Sequence, residues 1–158
     1  LDKARHVAVR LTLKAASRLR RLGLYAKVMC LKIRVDNDHS YETATKFPPA
    51  SDSLTFLHSL DLMWNELIKR AGKVQIKKIA VTLLQLSEEC TLQPGLFDEL
   101  LGQAAHDKAD RMSTAMDAIN HRYGRDSILL GLLPKQGKSF SGTKIAFTRV
   151  PELEEFLD

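Results

Sequence analysis

The chain has 158 residues, 44% hydrophobic and 27% charged; this is ordinary globular usage, with enough length for one compact domain to bury roughly 70% of the surface it would expose unfolded. Its longest uncharged apolar runs fall far short of the ~20 residues a membrane span needs, and two cysteines, Cys30 and Cys90, exclude a disulfide scaffold or a Cys-rich zinc site and point to a reducing, cytoplasmic setting. Net charge is +5 but polarised: ten Lys/Arg and a single acid, Asp2, precede position 35, while the remainder is net negative, a one-ended field suited to a polyanion such as nucleic acid.

The opening Leu1-Asp2-Lys3, with neither Met nor an apolar signal segment, reads as a piece of a longer protein. Ala4, Ala8, Leu11, Ala15, Leu19 and Leu22 recur every three or four residues, with Arg10, Lys14, Arg18 and Arg21 on a different stripe, which predicts an amphipathic helix closed by Gly23. From Tyr25 to Val35 the pattern becomes two-residue alternation. Tyr25, Met29, Leu31, Ile33 and Val35 point one way with Lys27, and Ala26, Val28, Cys30, Lys32 and Arg34 the other. Asp36-Asn37-Asp38 favours a tight turn, so Tyr41 to Phe47 is expected to return as a second strand that Pro48-Pro49 stops.

Ser51, Asp52 or Ser53 can cap a second helix bearing Leu54, Leu57, Leu60, Trp64, Leu67, Ile68 and Ala71 on one side and ending at Gly72. Val74 to Leu86 reads as a strand with Ile79, Val81 and Leu83 inward and Lys78, Ala80 and Thr82 outward. Periodicity fails from Ser87 to about His106, which predicts a surface loop around Gln93-Pro94-Gly95-Leu96-Phe97. A third helix is expected next, with Met112, Met116, Ile119 and Tyr123 on its apolar stripe, then a short strand from Ser127 to Leu133. A basic loop and an acidic tail, Pro151 to Asp158, make up 134–158.

This order predicts an α+β layer: a mostly antiparallel four-stranded sheet with helices on one face, over residues 1–133, followed by a C-terminal extension. The other face is expected to be open. On it Lys32, Arg34 and Lys78 project among small side chains, a surface flat enough for a phosphate backbone, with Arg10, Lys14 and Arg18 of the first helix as the alternative surface.

Signals for catalysis are weak. The five histidines lack ligand spacing and a Cys partner, so no metal site is expected, and Asp36 and Asp38 are explained by their turn. Gly131 to Ser139 ends in Gly-Lys-Ser like a phosphate-binding loop, but five residues separate its glycines where that motif has four.

The run Lys14-Ala15-Ala16-Ser17-Arg18-Leu19-Arg20-Arg21-Leu22-Gly23-Leu24-Tyr25-Ala26, leading into Met29-Cys30-Leu31-Lys32-Ile33-Arg34, resembles the start of the little-finger domain of Y-family translesion DNA polymerases. Phe47-Pro48-Pro49 and Ile79-Ala80-Val81-Thr82-Leu83 continue the resemblance in order. Gln93-Pro94-Gly95-Leu96-Phe97-Asp98, Met116 to Gly124 and Ser127 to Gly131 are similar to the UmuC-type branch.

The resemblance implies a domain that grips primer-template duplex in an error-prone polymerase of DNA repair and the SOS response. The catalytic carboxylates and their Mg2+ would belong to a catalytic domain upstream, so this fragment carries no active site of its own. It further implies docking on the sliding clamp through Gln93, Leu96 and Phe97, in a loop spanning about 87–106. Other damage-response proteins are further candidate partners. Two alternatives stand beside it: the same domain in a catalytically inactive adaptor of a mutagenic repair complex, and an unrelated α+β nucleic-acid-binding module.

Overall fold

The computed structural model describes residues 2–35, 39–72, 75–88, 102–124, 127, 128 and 130. Its elements run α1 (Asp2–Arg21), β1 (Ala26–Val35), β2 (Ser40–Ala50), α2 (Ser53–Ala71), β3 (Ile76–Leu84) and α3 (Gly102–Tyr123). Among the described residues the sheet is three-stranded and antiparallel, in the order β2-β1-β3.

Helix α1 has Asp2 in its first turn and Arg18, Arg20 and Arg21 in its last, charges that complement the helix dipole. It ends where Gly23 turns to φ +66°, with Gly23 N–H donating to Arg20 O and Leu24 N–H to Leu19 O, a paired closure that needs a left-handed residue at that position. The buried stripe is Ala8, Thr12, Ala16 and Leu19, shifted by one residue from the expected Leu11 and Ala15, while Leu22 is exposed. Thr12 is tolerated inside because its hydroxyl donates to Ala8 O at 3.0 Å.

Strand β1 is central. Met29, Leu31 and Ile33 are fully buried against the helices, and the alternate residues Lys32 and Arg34 are exposed, as alternation requires. An irregularity between Ala26 and Val28 turns Ala26 into the core instead of onto the open face. β2 does not stop at its prolines but runs through them to Ala50, because it is an edge strand and its pairing with β1 is irregular there, Lys46 and Ala50 facing Val28 and Ala26, so the missing N–H groups fall outside the regular ladder. The turn at 36–38 lies outside the described residues.

Asp52 proves to be the cap of α2, accepting from Thr55 N–H at 2.8 Å, and Gly72, at φ +70°, closes the helix. Phe56 and Met63 join Leu60, Trp64 and Leu67 on the buried face, whereas Leu54 is exposed. The Phe56 ring meets Phe47 of β2 edge-on, centroids 5.5 Å apart, fixing α2 to the sheet edge.

The C-terminal part departs further from expectation. α3 begins at Gly102, inside the segment predicted to be loop. Of its predicted stripe Met112 and Tyr123 are exposed and Met116 and Ile119 half-buried. The contacts that dock the helix are polar. Ser113, buried, accepts from Ser53 N–H at 3.1 Å; Ser51 Oγ donates to Asp110 Oδ1 at 2.9 Å; and Arg20 Nε donates to Asp117 Oδ2 at 2.7 Å. Arg20 also donates to Ser51 O and Ser53 Oγ, so one guanidinium ties α1, the start of α2 and α3 together.

The expected fourth strand is not found: Ser127, Ile128 and Leu130 are not in a strand, and the rest of 127–133 lies outside the described residues. At Ile128 the reason is local: Asn120 of α3 donates through Nδ2 to Ile128 O at 3.0 Å and accepts from Ile128 N–H at 2.9 Å, taking both backbone groups of that residue.

Because α3 is held by a few polar contacts, Asp117→Asn is expected to weaken its docking by about 1–3 kcal/mol, the scale of a hydrogen bond to a charged group. Amide exchange should accelerate in α3 and stay slow in β1. Equal protection of α3 in both proteins would show that Arg20–Asp117 does not hold it.

Candidate nucleic-acid interface

The three helices leave one face of the sheet uncovered, and strand register decides what meets there. Lys32 of β1 stands opposite Glu42 of β2 and Ala80 of β3; Arg34 stands opposite Ser40 and Lys78; Cys30 stands opposite Ala44 and Thr82. Lys32, Arg34, Ser40, Lys78 and Ala80 line a hollow of about 410 Å³. Lys32 and Arg34 are two residues apart on one strand, about 7 Å, and Lys78 extends the basic group onto the neighbouring strand.

Arg34 directly across from Lys78 is an unfavourable pair, since like charges at facing positions of antiparallel strands repel. An anion seated between them would relieve the repulsion. Ser40 adds a hydroxyl at the rim, and Ala80 keeps the floor low enough for a backbone to approach.

The other side of Lys32 is acidic. Lys32 Nζ lies 3.0 Å from Glu42 Oε2, both side chains half exposed, and the Cys30 thiol donates to Glu42 Oε1 at 3.1 Å. The Lys32 contact, then the thiol, hold the Glu42 carboxyl below the usual carboxylate range. Burial, then the Glu42 carboxylate, push the Cys30 thiol up to about 11 despite Lys32 nearby.

The structure thus brings together Lys32, Arg34 and Lys78 and separates them from Arg10, Lys14 and Arg18. Those three belong to α1, whose buried stripe packs beneath the sheet's opposite face. On a helical wheel Lys3, Arg10, Lys14 and Arg21 fall within about 25° of the pole facing away from that stripe, with Arg18 beside them. Among the described residues these two basic groups lie on opposite sides of the packed helices and sheet. Gln93, Leu96 and Phe97 lie outside the described residues.

Sequence reasoning missed Ser40, Glu42 and Cys30 as participants. The alternation of β2 marks Ser40 and Glu42 as sharing a face, but which β1 residue each opposes depends on register, which the turn sets. Among the described residues no three His, Cys, Asp or Glu side chains cluster in a way that could hold a metal ion, and no helix is long and apolar enough to cross a membrane.

Residues 1–96 match the family model described as impB/mucB/samB family C-terminal domain, which spans α1 to β3 and hence the whole basic hollow. No curated protein and no solved structure gave a significant match.

In a Cys90→Ser background, Cys30 should be alkylated by iodoacetamide at pH 8 about a hundredfold more slowly than an ordinary thiol, since only the thiolate reacts. Mass spectrometry of the modified fraction over time measures this. An ordinary rate would mean that the thiol is neither shielded nor bonded to Glu42.

Proposed function

We propose that this chain, which belongs to the impB/mucB/samB C-terminal domain family, the little-finger domain of UmuC-type Y-family polymerases, grips primer-template duplex through the open face of its sheet. The observation that carries this reading is the convergence of Lys32, Arg34 and Lys78 around one hollow on the helix-free face, with Arg34 and Lys78 opposed. Such side chains neutralise phosphates without reading bases, so binding is weak, insensitive to sequence and steeply eroded by salt.

In this reading the domain positions DNA for an error-prone polymerase that copies damaged templates in the cytoplasm, and nucleotidyl transfer with its Mg2+ belongs to a catalytic domain outside this chain. Docking on the sliding clamp is assigned to Gln93, Leu96 and Phe97. An amide followed by two large apolar side chains supplies one polar anchor and two groups for an apolar groove, and two such anchors carry most of a short motif's affinity.

Charge reversal at Lys32, Arg34 and Lys78 together should weaken duplex binding by orders of magnitude. It should also lower the slope of log K against log salt by up to about 0.9 for every phosphate no longer neutralised. Reversal at Arg10, Lys14 and Arg18 is the control. Fluorescence anisotropy with a labelled primer-template reads both, and a larger loss from the α1 variant would move the interface to the helix.

For the clamp, Leu96→Ala with Phe97→Ala should abolish binding, each missing anchor costing about 2 kcal/mol or more, with the melting temperature almost unchanged. A peptide covering 91–99 should compete with the full chain. Core packing of the two side chains would instead lower fold stability by about 2–5 kcal/mol for each large-to-small change, and sink the motif.

A further inference from the structure

We propose that Glu42 is a built-in competitor for phosphate on the open face, keeping Lys32 engaged and holding the grip on duplex DNA weaker than the basic residues alone would make it. The inference deepens the reading of the open face as the duplex-binding surface and rests on it. Glu42 is the single acid on that face among the described residues, and it is directly opposite Lys32 in the β1–β2 register. Its two carboxylate oxygens are both used: Oε2 lies 3.0 Å from Lys32 Nζ, and Oε1 accepts the Cys30 thiol at 3.1 Å.

Two consequences follow for an approaching phosphate. The Lys32 ammonium, one of three cations around the hollow, already faces a carboxylate and has to exchange one anion for another. The carboxylate itself stays beside Lys32 as a fixed negative charge, because the Cys30 thiol holds its second oxygen in place when Lys32 lets go. A pair of exposed, half-solvated charges exchanges readily. Glu42 therefore tunes affinity and release without closing the site, a property that suits an enzyme that has to let go of DNA.

The test uses the 158-residue chain and a labelled primer-template, with Glu42→Gln compared with wild type across salt. The substitution keeps the side chain's shape and removes its charge. Freeing Lys32 lets it neutralise one more phosphate, so the salt slope should steepen by about 0.9, and the tighter binding of E42Q should shrink about threefold between about 50 and 200 mM salt. Lys32→Gln in the E42Q background should remove the added slope, and alkylation of Cys30 should quicken in E42Q, reporting that the carboxylate's hold on the thiol is gone. Unchanged or weaker binding by E42Q, while the K32E/R34E/K78E variant loses binding, overturns the role of Glu42 alone. Wild-type binding by the triple variant overturns the open-face reading and the role of Glu42 with it.

Discussion

Everything in this domain depends on the two-sidedness of β1. Its odd residues Met29, Leu31 and Ile33 are fully buried beneath the helices, and its even residues Lys32 and Arg34 stand in solvent on the open face. A slip of one residue would bury two cations beside Phe56 and Leu60 and expose the large apolar side chains of Met29, Leu31, Ile33 and Val35, so the hydrophobic pattern fixes the register, and the register fixes which charges meet. The same constraint that builds the core therefore builds the basic hollow. β1 is hydrogen-bonded on both edges, which holds Lys32 and Arg34 in place between partners on β2 and β3.

The family match ends at residue 96, and the character of the packing changes beyond it. Up to β3 the elements share an apolar core, with ion pairs and hydrogen bonds such as Arg5–Asp61 at its edge. α3 meets them through Asp110, Ser113 and Asp117, gathered on Arg20, Ser51 and Ser53. Directional contacts of this sort place a helix at one angle and one depth but contribute less burial than an apolar stripe does. Arg20 is the hinge pin of that arrangement: its side chain is only 11% exposed, and it serves acceptors from α3 and from the cap region of α2.

How much of this is legible in the sequence follows from which signals are local. The alternation of β1 from Met29 to Val35 and the outward direction of Lys78 are local, and both hold in the structure, whereas Ala26, expected outward, is buried in the core. The end of β2 is not: whether Pro48-Pro49 interrupts a strand depends on the strand's being an edge, a property of the sheet and not of the segment. The packing face of α3 is hidden for a related reason. Met112 and Tyr123 have the helical spacing of such a face, but the partner surface offered by Arg20 and Ser51 is polar and takes Asp117 and Asp110, leaving those two exposed. Glu42 is invisible as a participant, since its place opposite Lys32 exists only once two strands pair. At Ile128 the expected fourth strand gives way to Asn120, whose side-chain amide takes both of that residue's backbone groups.

The concentration of positive charge before position 35 looks, along the sequence, like one patch. Folding divides it. α1 carries Arg10, Lys14 and Arg18 on the outside of the helical layer, and β1 carries Lys32 and Arg34 on the outside of the sheet, with the buried side chains between them. A helix with its side chains is about 10–12 Å across, so the two surfaces are separated by more than the Debye length of about 8 Å at physiological ionic strength. Charges on one surface are largely screened from a phosphate on the other. The two groups therefore act as independent surfaces, while Lys32, Arg34, Lys78 and Glu42, within one or two side chains of each other, are coupled and have to be read together. It is this local coupling, more than the net charge of +5, that sets how tightly the open face can hold a polyanion.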